Sequence, residues 1–273
     1  MTRSNKAFIK DFIAKGNDVV LASGRNTRML NPIERTVGSN LAFIGCNGGY
    51  VRDKDGKDLA THPLPVELVR DIYLELKDKY GIYMWFMMDD SRKDYVVLDR
   101  APRGLLVLGK IVNSLSLKYK EDYELGVKKF VARMNSGEPI YKLMPIFGIG
   151  ERGSQWASEA LVPLREKFGD KVTLAQTSSS IEITAKGVSK GSGVSTYIKE
   201  KGMDPDQVIV VGDSGNDISM FDEFWHSFVM DKAPSSVKKH AVHVIRRVSD
   251  ISQYLENPVL LENDRKLMAS RNI

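Results

Sequence analysis

The 273-residue chain is predicted to adopt an α/β fold, a doubly wound parallel sheet interrupted by an inserted α+β segment, on three observations. First, apolar, β-branched runs end in small polar turns: Val19-Val20-Leu21-Ala22 before Ser23-Gly24-Arg25, Leu41 to Cys46 before Asn47-Gly48-Gly49, and Val208 to Val211 before Gly212-Asp213-Ser214-Gly215-Asn216-Asp217. Runs apolar throughout suit strands buried on both faces, and the carboxyl ends of such strands are where open α/β sheets bind ligands. Second, amphipathic helical spacing recurs between these runs, as crossover connections require. Third, the texture changes at His62 to aromatic, hairpin-rich sequence and changes back after Thr184. The expected division is a Rossmann-like core in two parts, residues 1–62 and 185–257, a cap domain over 63–184, and a C-terminal tail over 258–273.

Taken in order, Phe8, Ile9, Phe12 and Ile13 fall at helical spacing and Lys15-Gly16-Asn17 ends that helix. Asp18 to Ala22 and Leu41 to Cys46 are the first two strands. Asp53-Lys54-Asp55-Gly56 lies between Tyr50-Val51-Arg52 and Lys57-Asp58-Leu59. It is read as the tight turn of a hairpin, because Asp and Gly favour that geometry, and not as an aspartate that accepts phosphoryl groups. Pro63 and Pro65 mark the entry to the insertion, and Val66 to Tyr80 is a helix with Leu68, Ile72, Leu76 and Tyr80 on one face. Gly81 to Met88 is a strand rich in aromatics and methionine, assigned to core packing over a substrate entrance, with Tyr95 to Leu98 its hairpin partner. Strands at Lys142 to Ile149, Val172 to Ala175 and Ser180 to Thr184, with a helix over Gln155 to Lys167, complete the insertion. Ser192 to Lys201 is a helix opened by Ala185 to Gly191, which sets Lys190 beside an anion-favouring helix N-terminus. Helices over Ile218 to Phe224, Pro234 to His240 and Ile251 to Leu255 alternate with strands at Ser227 to Met230 and Val242 to Ile245. The tail beyond Asn257 is either a docked helix or disordered.

Composition excludes several classes. Forty basic and 35 acidic residues give a net charge of +5, but they are interleaved with no basic block, so no nucleic-acid partner is expected. The single cysteine, Cys46, rules out an internal disulfide and a cysteine-rich zinc site. No apolar run approaches a membrane span and the N-terminus lacks the apolar core of a signal peptide, so no membrane partner and a cytoplasmic location are expected. His240 and His243 are read as surface histidines and not as a metal pair, because no further ligand lies nearby in sequence.

The chemistry concentrates in the polar turns. Ser23, Gly24 and Arg25 offer a hydroxyl, a flexible amide and a guanidinium, a plausible phosphate cradle, although a plain strand-to-helix turn would read the same. Asp213 and Asp217, four residues apart on a glycine-bearing loop, suit a hard divalent cation such as Mg²⁺, the alternative being a helix cap. Gly212-Asp213-Ser214 also looks like the nucleophile turn of trypsin-like proteases or of the lipases named for Gly-Asp-Ser. The α/β pattern, the lone cysteine and the late position of Ser214 argue against both, and a triad would need a placed histidine among His62, His226, His240 and His243.

Together these motifs resemble the haloacid dehalogenase superfamily, specifically its Cof-type phosphatases (subfamily IIB). The resemblance spans Phe8 to about Leu255 and rests on Leu-Ala-Ser-Gly-Arg at 21 to 25, Asn-Gly-Gly at 47 to 49, Lys-Gly-Val-Ser-Lys-Gly at 186 to 191 and Gly-Asp-Ser-Gly-Asn-Asp at 212 to 217. It implies a phosphoaspartyl mechanism at Mg²⁺ acting on a small phosphorylated metabolite, sugar-phosphate-like. By resemblance, Ser23 and the Gly24 amide bind the transferring phosphoryl group and Lys190 neutralises charge. Asp213 is the metal ligand, Asn216 a phosphate contact and Asp217 a supporting carboxylate, while Asn47 and Gly48 form the substrate-side loop.

Two departures accompany it. Met230-Asp231-Lys232-Ala233 stands where relatives commonly have Met-Gly-Asn-Ala. The family's Asp-x-Asp-Gly-Thr, which supplies nucleophile and general acid/base at the end of a strand preceding the first helix, does not occur ahead of Ser23. The 273 residues alone are therefore expected to lack phosphatase activity, and a non-catalytic, phospholigand-binding or protein-interaction role is the competing reading. Without that strand, the Val19 to Ala22 and Val208 to Val211 strands are expected either to stand roughly 9 to 10 Å apart or to pair at about 4.8 Å, the open arrangement being favoured. Substrate identity and oligomeric state are not legible.

Overall fold

The computed structural model describes residues 1–89, 94–102, 104 and 123–271. Strands β1 (Val20–Ala22), β2 (Ala42–Gly45), β3 (Tyr50–Arg52) and β4 (Asp58–Thr61) form a four-stranded sheet in that order. β1 and β2 are parallel, with Leu21 opposite Phe43, and β3 and β4 follow antiparallel. The β3–β4 turn is the expected hairpin: Asp53 Oδ1 accepts the amides of Asp55 and Lys57, both at 3.0 Å, and Gly56 takes φ 81.

The inserted sheet has six strands in the order β7 (Tyr123–Leu125), β6 (Asp94–Leu98), β5 (Met84–Met88), β8 (Lys142–Ile146), β10 (Ser180–Ala185) and β9 (Val172–Thr177). All its pairings are antiparallel except β6 with β7. Helices Val66–Lys77 and Gly150–Phe168 bury Ile72, Leu76, Leu161 and Leu164 in the same cluster as Trp85, Met87, Leu143, Ile181 and Ile183. Each fully buried side chain of this kind contributes about 1.5–3 kcal/mol. The aromatic strand thus packs, as expected. Its alternate residues Phe86 and Met88 turn the other way, toward Phe43, Tyr50 and Tyr141.

A third sheet of three parallel strands, β11 (Val210–Gly212), β12 (Ser227–Met230) and β13 (His243–Ile245), completes the fold. β1 and β11 belong to different sheets with no pairing between them, so the directly paired alternative is not formed. One core nevertheless joins both sheets. Helix Lys190–Lys201 buries Tyr197 and Ile198 against Ala42, Ile44 and Val51 from one, and Val208, Val210, Phe221 and Val229 from the other.

Several boundaries differ from expectation for identifiable reasons. Helix Lys190–Lys201 begins two residues before the expected Ser192, because Ser189 caps it: the Ser192 amide donates to Ser189 Oγ at 3.1 Å and the Ser189 amide to Ser192 Oγ at 2.9 Å. β11 begins only at Val210, since Val208 closes a 3₁₀ turn over Pro205–Gln207 through its amide to the Pro205 carbonyl at 3.1 Å.

The tail carries a helix, Asp264–Arg271, and it is docked. Asp264 is fully buried, accepting from His226 Nδ1 at 2.9 Å and His243 Nε2 at 2.8 Å. This corrects the reading of His243 as an ordinary surface residue. The ring also stacks on Phe228 with centroids 4.7 Å apart, so it serves as a structural tether that residue spacing alone does not disclose. His240, in contrast, pairs with exposed Asp222 at 2.9 Å.

Candidate active site

Backbone hydrogen bonds lace the first two polar turns together. The Ser23 amide donates to the Ile44 carbonyl at 2.8 Å, the Asn47 amide to Ser23 at 3.0 Å and the Cys46 amide to Arg25 at 3.0 Å. Cys46, Asn47 and Gly48 all take positive φ, at 50, 59 and 98. At Gly48 a Cβ would lie 2.3 Å from the Ser189 carbonyl oxygen, so only glycine lets this turn approach the start of helix Lys190–Lys201. At Gly24 a Cβ would meet Asn47 Oδ1 and Lys142 Nζ, each at 2.9 Å. Ser23 is buried; its Oγ accepts the Arg25 amide at 3.1 Å and donates to Met29 Sδ at 3.4 Å.

The second pair of turns meets through an ion pair. Lys190, first residue of its helix, donates to Asp217 Oδ1 at 2.6 Å, and both side chains are buried. The other oxygen, Asp217 Oδ2, accepts the amides of Asp213 at 2.8 Å and Ser214 at 2.9 Å. Burying two charges costs several kcal/mol for each ion. The short contact and the two amide donors on the second oxygen offset that cost. Asp217 is thereby wholly engaged. Asp213 differs: it is exposed at the carboxyl end of β11, and its carboxylate makes no hydrogen bond or ion pair among the described residues.

That free carboxylate decides how far these residues suit a hard divalent cation. Mg²⁺ is commonly held by one or two carboxylates, with phosphate oxygens and water filling the rest. Asp213 fits as such a ligand. Among the described residues no group of three or more His, Cys, Asp or Glu side chains converges on a metal position, so an all-protein cage is excluded there.

Two residues absent from the sequence-based expectation sit in the middle of this cluster. Lys142 of β8 and Glu182 of β10, 2% and 6% exposed, form an ion pair at 3.1 Å. Lys142 Nζ donates to the Gly24 carbonyl at 2.8 Å. Glu182 Oε2 accepts from Asn47 Nδ2 and, at 3.2 Å, from Asn216 Nδ2, which also reaches Asn47 Oδ1 at 3.2 Å. Burial pushes the Glu182 carboxyl up, but the Lys142 charge and the two amides outweigh it and hold it below the usual glutamate range. A further bond across the same boundary runs from buried Asn26 Nδ2 to Asp94 Oδ1 of β6 at 2.8 Å.

Of the anticipated residues, the structure joins Gly24, Asn47 and Asn216 around Lys142 and Glu182, and joins Lys190, Asp217 and the Asp213 amide. Gly48 abuts the Lys190 helix, and Arg25 contributes its backbone amide to Ser23. No hydrogen bond ties Ser23 Oγ to Lys190 or to a carboxylate among the described residues. Ser214 Oγ donates to Asn216 Oδ1 at 2.7 Å with no histidine beside it, which disposes of a serine triad. The side chains of Met230 to Ala233 make no hydrogen bond or ion pair with these turns among the described residues.

The pattern of polar turns around a capped core has counterparts among known proteins. A family model described as haloacid dehalogenase-like hydrolase matches residues 1–255. The 5-amino-6-(5-phospho-D-ribitylamino)uracil phosphatase YbjI of Escherichia coli is 27% identical over 233 residues, 82% of this chain and 76% of its own length. The Bacillus subtilis phosphatase YwtE, which carries the same substrate in its name, is 29% identical over 264 residues, 90% of this chain and 87% of its own. The structure of BT4131, a subclass IIB sugar phosphatase, superimposes with a TM-score of 0.73 at 18% identity, covering 94% of this chain and 92% of that one. No helix among the described residues is long and apolar enough to cross a membrane.

Proposed function

Since the chain belongs to the haloacid dehalogenase-like hydrolases, we propose that it serves the hydrolysis of small, sugar-phosphate-like phosphate monoesters through an aspartyl-phosphate and Mg²⁺. The observation that carries this reading is the buried Lys190–Asp217 pair at 2.6 Å, one turn from the free Asp213 carboxylate. Phosphoryl transfer demands positioned charge more than elaborate covalent chemistry, and this cluster supplies both signs at a sheet edge. Support for the substrate class comes from the phosphorylated metabolite in the names of the two bacterial relatives.

In the proposed roles, Ser23 Oγ and the Gly24 and Arg25 amides bind the transferring group. Lys190 neutralises it, and Asp217 fixes the lysine by occupying one of its protons. Asn216, Asn47 and Gly48 line the substrate side. Asp213 would hold Mg²⁺, which when bound withdraws charge from the phosphoryl oxygens. In this reading residues 1–62 and 185–257 act as the core, 63–184 as the cap and 258–273 as a tail fastened through Asp264.

The non-catalytic alternative draws on one observation. Among the described residues, Ser23 Oγ meets the Met29 sulfur and the Arg25 amide, and the carboxylate on Lys190 is Asp217, so no second aspartate faces Ser23 and Lys190 there. The two are separated by assaying p-nitrophenyl phosphate with a chain preceded by an apolar strand ending in Asp-x-Asp-Gly-Thr. Hydrolysis that requires Mg²⁺ and falls about a hundredfold in Lys190→Ala supports catalysis. Activity undiminished in excess EDTA removes the metal role, and a loss below about threefold makes Lys190 peripheral.

A further inference from the structure

Ser23 gives its hydroxyl hydrogen to a sulfur atom. Its Oγ donates to Met29 Sδ at 3.4 Å and accepts the Arg25 amide at 3.1 Å, so both roles of the hydroxyl are filled within six residues of chain. The segment that brings Met29 back to Ser23 is fixed at its start. Asn26 Oδ1 accepts the Arg28 amide at 3.3 Å, the Met29 amide donates to the Asn26 carbonyl at 3.3 Å, and Asn26 Nδ2 is tied to Asp94. Thr27–Met29 is thereby held as a 3₁₀ turn.

Apolar packing does not account for this methionine. Half-buried Met144, Met203 and Met230 each pack against a hydrophobic cluster, and the next residue, Leu30, joins the cluster of Phe43 and Tyr50. Met29 belongs to none of the clusters among the described residues. It is half-buried, which leaves the side chain within reach of small oxidants, whereas the thiol of Cys46 is fully buried.

A thioether is a weak acceptor, so a phosphate oxygen takes the Ser23 hydrogen from it at little cost. Oxidation reverses that balance. A hydroperoxide transfers its terminal oxygen to the sulfur lone pair: the O–O bond breaks, an S–O bond forms, sulfur gives up two electrons, and water or an alcohol leaves. The product, methionine sulfoxide, is polar and is reduced back by dedicated enzymes. Its oxygen carries partial negative charge beside the Ser23 hydroxyl, where it competes with phosphate for the one hydrogen and repels the phosphate oxygens.

Resting on the phosphate-site reading above, we propose that Met29 is a reversible redox modification site: its conversion to the sulfoxide by a hydroperoxide engages the Ser23 hydroxyl and weakens the site for phosphate.

Titration calorimetry of the full 273-residue chain with inorganic phosphate and Mg²⁺ tests this before and after hydrogen peroxide, with peptide mass mapping to follow oxygen addition at each methionine. Oxidation at Met29 should weaken phosphate about fivefold, the worth of one hydrogen bond, and methionine sulfoxide reductases should restore the affinity. Met29→Leu should abolish the response to peroxide, whatever its starting affinity. Unchanged affinity with Met29 fully oxidised, or a loss that persists in Met29→Leu, overturns the proposal and leaves the phosphate site standing. So does a Met29 that resists peroxide under conditions that oxidise Met1, which is 61% exposed. A reduced chain that fails to bind phosphate removes the phosphate-site reading, and the proposal with it.

Discussion

Replacing Lys190 by methionine keeps the aliphatic stem and deletes the ammonium that touches Asp217 at 2.6 Å. Side-chain exposures of 8% and 5% mean that solvent cannot replace the lost partner. Breaking a buried pair from one side costs about 3–5 kcal/mol. Here Asp217 Oδ2 keeps the Asp213 and Ser214 amides, so one carboxylate oxygen stays satisfied and the expected loss falls to about 2–3 kcal/mol. Asp217→Asn leaves the ammonium buried without its counter-charge and should cost about as much. The double variant should cost less than the sum of the two, with a coupling of about 1.5–3 kcal/mol, measured by urea unfolding at neutral pH. Strict additivity, or single-variant losses under about 0.5 kcal/mol, would refute the claim that the pair is a desolvated unit that positions the lysine.

Gly48→Ala should lose about 2–4 kcal/mol in the same unfolding experiment, because φ 98 and a Cβ only 2.3 Å from the Ser189 carbonyl oxygen add strain and overlap. Asp264→Ala should cost about 2–3 kcal/mol and speed amide exchange across 264–271, since the carboxylate that His226 and His243 share is fully buried; unchanged exchange would mean the helix is held by other contacts. Acid should open the cap. The Glu182 carboxyl is held below its ordinary value, so its contribution is complete above that value and disappears as pH falls through the depressed one. Small-angle scattering should show the expansion on that descent, and the Glu182-dependent part should be missing in Glu182→Gln.

Much of this was readable from the chain because the informative residues are local in sequence. Gly212 to Asp217 is a single turn, and its Asp213 amide, Ser214 and Asp217 contacts close within five residues. The hairpin at Asp53 to Gly56 is equally self-contained. Lys142 and Glu182 were invisible for the opposite reason. A charge alternating with apolar residues along a strand signals a solvated face, and here that face is buried against Gly24, 118 positions away in the chain. Asp264 escaped likewise, because its two histidine partners lie 38 and 21 residues upstream. The Ser189 cap was a missed local signal: the Ser-x-x-Ser spacing was present, but the capping pattern expects Glu or Gln in the last position.

Ser23, Gly24 and Lys190 are proposed to form a phosphoryl site. Crystals of the chain soaked in tungstate and MgCl₂ test it by anomalous scattering. The predicted result is one strong peak within hydrogen-bond reach of Ser23 Oγ, the Gly24 amide and Lys190 Nζ, lost in Lys190→Met. Saturating tungstate that leaves these three groups without a peak, or a peak there indifferent to Lys190→Met, would rule out a phosphoryl site built on them.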